Sequence, residues 1–71
     1  MNYNGTPHGM KLNRIQIKIF EKLSREKGLE TDAFVKQYSF EFIGIQRENL
    51  QELSEEEGDM WINNAYLLSL H

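Results

Sequence analysis

Residues 13 to 28, NRIQIKIFEKLSREKG, decide the fold. At about 100° per residue, Ile15, Ile19 and Leu23 fall on one side of a helix, with Leu12 just before it and Phe20 on the flank. Lys11, Arg14, Lys18, Lys22 and Arg25 recur at spacings of three, four, four and three, and share a separate sector roughly 80° wide. The first side must face protein, and the second water or a polyanion. Asn13 suits an N-cap, and Gly28 can take the left-handed conformation that closes a helix. Lys22, Arg25 and Lys27 suit the negative end of the helix dipole. The spacing predicts a first helix over 13–27.

Working outward, Thr31 is the expected cap of a second helix through about Ser39, with Ala33, Phe34, Val35 and Tyr38 on its apolar side. The run from Tyr38 to Ile45 alternates like a strand at Phe40 and Phe42, yet a strand here has no partner. It is read as the end of the helix followed by an extended apolar loop that turns at Gly44. A short helical turn near 47–52 places Leu50 and Leu53 in the core. Ser54 and Glu57 form an S-x-x-E capping box that opens a third helix over 55–69. Its apolar set is Trp61, Ile62, Ala65 and Leu68, with Gly58 on the same side to allow close backbone approach. Residues 1 to 10, MNYNGTPHGM, lack periodicity and read as a disordered lead. Met10 offers an internal start that would make the first nine residues a leader. The expectation is an all-α fold: one small three-helix domain over 11–71, with a short extra helical turn and a disordered N-terminal lead. Its expected core is Ile15, Ile19, Leu23, Phe34, Tyr38, Leu50, Leu53, Trp61, Ala65 and Leu68.

With 71 residues the chain suffices for one domain near the lower size limit for unaided folding. It contains no cysteine, which excludes disulfides and thiolate metal sites, and His8 and His71 stand at opposite ends, so no metal site is expected. No apolar run approaches the roughly 18 residues of a membrane span, and the N-terminus lacks a secretory plan. A soluble cytoplasmic protein without a membrane partner is expected. The net charge of −3 hides an asymmetry. Residues 1 to 29 carry six Lys/Arg against two acids, and residues 30 to 71 carry two against nine. Such a chain can offer one face to a polyanion, or stack on itself head to tail.

The sequence resembles a small helical module found in phage single-strand annealing recombinases and Mu GemA-like phage proteins. The resemblance is carried by Gln16-Ile17-Lys18, Leu23, Gly28-Leu29, Phe34, Tyr38, Leu50, Leu53-Ser54-Glu55-Glu56 and Trp61-Ile62. It covers about residues 14 to 64 and is a pattern of apolar spacing and caps, not a catalytic signature. The chain departs from it in a longer, more aromatic segment between Tyr38 and Leu50, and in Gly58 where alanine is usual. The resemblance implies a helical accessory domain associated with phage DNA metabolism.

Lys11, Arg14, Lys18, Lys22 and Arg25 are the candidate nucleic-acid contacts, because a row of cations along a helix matches a phosphate backbone and gives salt-sensitive binding. No aromatic platform is evident beside them, which argues against single-strand stacking. Glu55, Glu56 and Glu57 suit the first turn of a helix better than a docking patch or a cation site. No nucleophile and base, phosphate loop or calcium loop is visible, so the chain is read as not an enzyme, with no cofactor and no small-molecule substrate. Trp61 is expected in the core, whereas Met60, Tyr66 and Leu67 lie off the main apolar face and are the candidate partner interface. Two functions follow as expectations. One is a nucleic-acid-binding accessory module, and the alternative is a protein-interaction module, an adaptor or inhibitor. The alternative uses the acidic C-terminal half or the Met60, Tyr66 and Leu67 flank, in one form as a homodimer.

Overall fold

A computed structural model describes residues 11 to 69, so the expected lead over residues 1 to 10 lies outside the described residues. In chain order the elements are α1 (Arg14–Glu26), α2 (Thr31–Ile43), a single 3₁₀ turn (Leu50–Glu52) and α3 (Glu55–Ser69). No strand occurs among the described residues. The chain is an all-α, three-helix domain with one extra helical turn, as the spacing predicts.

Local chemistry sets most of the boundaries. Asn13 Oδ1 accepts the Gln16 backbone N–H at 2.8 Å, and Gln16 Oε1 accepts that of Asn13 at 3.0 Å, a reciprocal capping box. At the far end Gly28, with φ 73°, allows the Leu29 N–H to reach back to the Ser24 carbonyl at 2.9 Å. The Ser54 and Glu57 box forms as expected, with both reciprocal bonds at 3.1 Å.

The second helix differs from expectation at both ends. Its N-cap position is Glu30, which makes no side-chain cap, and Thr31 is the first helical residue, its hydroxyl 3.3 Å from that of Ser24. The run read as an extended loop is helical through Ile43, and Gly44 at φ 76° closes it by donating to the Phe40 carbonyl at 2.9 Å. The reason is packing: Phe34, Tyr38 and Phe42 recur every four residues, and the Tyr38 and Phe42 rings stack at 5.5 Å. Phe40 points outward at 68% exposure, so its alternation with Phe42 carries no strand signal. Buried Ser39 then pins the following loop, because its hydroxyl accepts the Arg47 N–H at 2.9 Å. Asp32 holds the 3₁₀ turn by accepting the Leu50 N–H at 3.1 Å.

The core is Leu12, Phe20, Leu23, Phe34, Val35, Phe42, Leu50, Leu53, Trp61 and Ala65. Trp61 is fully buried, and its ring lies 5.2 Å from Phe20 on α1 and 5.6 and 5.4 Å from Phe34 and Phe42 on α2. Ile19 and Tyr38 of the expected core are partly buried. Ile15 is 72% exposed and Leu68 51%, so neither belongs to it. The buried face of α1 is Gln16, Phe20, Leu23 and Ser24, turned by roughly 80° from the expected face at 100° per residue. Phe20 must reach Trp61, and Gln16 must reach α3, where its Nε2 donates to the Glu55 carbonyl at 2.9 Å and to Asp59 Oδ1 at 2.7 Å. Leu68 lies one turn beyond Ala65, at the edge of an open cleft bordered by Leu23, Lys27 and Phe42.

Gly58 allows α3 to approach the chain entering α1. A Cβ there would stand 2.5 Å from Leu12 Cδ2 and 3.1 Å from Gln16 Nε2. Gly58→Ala gains about 1 kcal/mol in helix propensity but overpacks a filled site at about 1–3 kcal/mol. The expected net is a loss of about 1 kcal/mol, or roughly 4–8 °C in Tm for a domain of this size, read by thermal unfolding. Trp61→Ala should cost about 3–5 kcal/mol in urea unfolding. Ile15→Ala should change stability by less than about 0.5 kcal/mol, a contrast that reports the rotation of α1 directly.

Candidate nucleic-acid interface

The rotation of α1 decides where its charges go. At about 100° per residue, Arg14, Lys18, Lys22 and Arg25 centre roughly 180° from Gln16, Phe20, Leu23 and Ser24. All four basic residues are therefore exposed, in one row about 17 Å long at 1.5 Å per residue. At about 100° per residue Glu21 and Glu26, both exposed, flank this sector on either side. Lys11, also exposed, does not join the helical row because it precedes the Asn13 cap. Its charge instead helps to lower the pKa of Glu57 at the start of α3.

Beside the row, α1 and α3 enclose an open cleft of about 510 Å³ whose walls include Ile15 and Ile19 on one side and Asp59, Met60, Asn63 and Tyr66 on the other. Met60 and Tyr66, both expected at an interface, are brought together here. Leu67 does not line this cleft; it sits seven residues from Met60 on the outward side of α3 and is 54% exposed. The sequence reading missed the α1 wall because it placed Ile15 and Ile19 in the core. The helical count held a usable signal, since Ile15 falls next to Lys22 at the edge of the basic sector.

The acids at the start of α3 are largely engaged in structure. Asn13 Nδ2 donates to Glu55 Oε2 at 2.8 Å, and Arg47 donates from Nη2 to Glu57 Oε2 at 2.6 Å and from Nε to Oε1 at 3.3 Å. Among the described residues, no group of three or more acids and histidines is placed to hold a metal ion. Arg47 is thereby tied to a structural pair, and the hydrogen bond to the Glu57 carboxylate raises its own pKa. No helix among the described residues is long and apolar enough to cross a membrane. Comparison of the chain with protein-family models, curated proteins and solved structures finds no match.

The hydrogen bonds from Arg47, foremost, hold the Glu57 carboxyl below its ordinary value of 4.5; burial opposes them and the Ser54 N–H assists. A lowered folded-state pKa contributes stability that is fully present above the unfolded value and is lost as pH falls through the folded one. Glu57→Gln keeps the capping type but removes this titration. The variant should melt below the parent near neutral pH, and the two Tm curves should converge as the pH falls below 4.5 and through the lowered folded-state value, in thermal scans across an acid series.

Proposed function

We propose that this domain is a non-enzymatic nucleic-acid-binding accessory module that contacts phosphates through Arg14, Lys18, Lys22 and Arg25, without the Lys11 that the sequence grouped with them. The observation that carries the proposal is the row of four exposed cations on the face of α1 opposite the core. Such a row gains binding energy by releasing the counterions condensed on a nucleic-acid backbone. The acidic excess over residues 30 to 71 directs a polyanion to the α1 face and away from the rest. The resemblance to phage recombinase and GemA-like modules agrees with this reading and supplies a setting, phage or mobile-element DNA metabolism in the cytoplasm.

A second reading, a protein-interaction module or homodimer, is favoured by the exposure of Met60, Tyr66 and Leu67 along α3, each between 44% and 54%. Sedimentation equilibrium distinguishes the homodimer form, for which dissociation should follow Met60→Glu.

The test of the first reading is fluorescence anisotropy of labelled oligonucleotides at two salt concentrations. Four phosphate contacts predict a log–log salt slope of roughly −3 on a single strand. Lys18→Glu with Lys22→Glu should abolish binding while leaving Tm within a few degrees, since both side chains are exposed. Affinity indifferent to salt, or untouched by the double substitution, would remove the phosphate mechanism.

A further inference from the structure

We infer that the nucleic acid bound along α1 is single-stranded, with its unpaired bases entering the cleft between α1 and α3 and stacking on Tyr66; the inference rests on the phosphate-row reading above. The cleft lies beside the row, because Ile15 and Ile19 precede Lys18 and Lys22 by three residues each and so neighbour them on the α1 surface, about 60° further round at 100° per residue. The walls carry apolar surface that water meets at present: Ile15 is 72%, Met60 48% and Tyr66 44% exposed. A duplex keeps its bases stacked inside and presents phosphates alone to a convex ridge, so it would leave this surface wet. A single strand turns phosphates to one side and base faces to the other, and a cationic ridge beside an apolar, aromatic-bearing cleft matches both sides at once.

The cleft also discriminates against the other occupant that a cationic rim invites. Asp59 stands in its wall with Oδ1 accepting from Gln16 Nε2 at 2.7 Å. A fixed carboxylate there repels the side chains of an acidic peptide and keeps phosphates out on the ridge, whereas it can accept hydrogen bonds from base amino groups. The Tyr66 ring supplies the aromatic platform that the sequence of α1 lacks. It was not visible from the basic stretch because it comes from a helix more than 40 residues further along the chain.

The experiment compares a labelled single strand with a duplex of the same sequence by anisotropy at two salt concentrations. The proteins are the parent, Tyr66→Ala, Ile15→Gln and Lys18→Glu/Lys22→Glu. The parent should bind the single strand about tenfold more tightly than the duplex, and Tyr66→Ala should lose roughly tenfold on the single strand with an unchanged salt slope. Tyr66→Phe should retain the affinity, since the ring face and not the hydroxyl makes the stack. Ile15→Gln, at a surface position that folding does not need, should also weaken the single strand selectively. Equal binding of both nucleic acids, with Tyr66→Ala and Ile15→Gln neutral and only the lysine variant defective, would overturn the inference and leave the phosphate row standing. No binding of either nucleic acid at low salt would overturn both. A parent dimer that Tyr66→Ala converts to monomer, undisturbed by the oligonucleotides, would assign the cleft to a second copy of the chain.

Discussion

The structure depends on one buried ring. Trp61 has no solvent exposure and is met by Phe20 from α1 and by Phe34 and Phe42 from α2, all with centroids between 5.2 and 5.6 Å. These are edge and tilted contacts of the kind that aromatic quadrupoles favour. A 71-residue chain without disulfides has few alternatives for holding three helices together. The indole N–H is buried without a partner among the described residues, at a cost of about 1–3 kcal/mol. Packing around the ring must exceed that cost, which explains why all three helices contribute their largest apolar side chains to this point.

A polar clamp fixes the opposite end of the α1–α3 contact. Gln16 is 3% exposed, closes the capping box of α1 with one end of its amide and ties down the first turn of α3 with the other. Gly58 leaves the room this needs, since any Cβ would meet Leu12 and Gln16. The Phe20–Trp61 contact and the Gln16 clamp lie on the same side of α1, four residues apart. Between them they fix the rotation of the helix about its axis.

That rotation links stability to the proposed function. With Gln16, Phe20 and Leu23 inward, Arg14, Lys18, Lys22 and Arg25 stand on the outward face, and Ile15 and Ile19 become the wall of a cleft. Glu55 and Glu57 at the start of α3 are meanwhile drawn into a cap and into pairs with Asn13 and Arg47. The domain therefore separates a cationic ridge from an acidic body, and sets an apolar recess at the ridge's edge.

The sequence by itself determined the number and type of elements, the start of α1 at Asn13, the capping box at Ser54 and Glu57, and the turns at Gly28 and Gly44. Each of these is written within three to five residues, where a side chain meets the backbone of its own segment. It also determined that Leu23, Phe34, Leu50, Leu53, Trp61 and Ala65 are buried and that the basic row is one sector of a helix. Only the tertiary structure decided the helical state of Phe40 to Ile43, the outward turn of Ile15, the position of Leu68 at a cleft edge and the placing of Tyr66 in the same cleft as Ile15 and Ile19. Ile15, Ile19 and Leu23 form as regular an apolar stripe as Phe20 and Leu23 with Gln16 in place of a leucine. Periodicity alone ranks the former higher because glutamine is polar. The choice between them rests on what the glutamine amide and the phenylalanine ring meet on α3, and no spacing along α1 contains the shape of its partner.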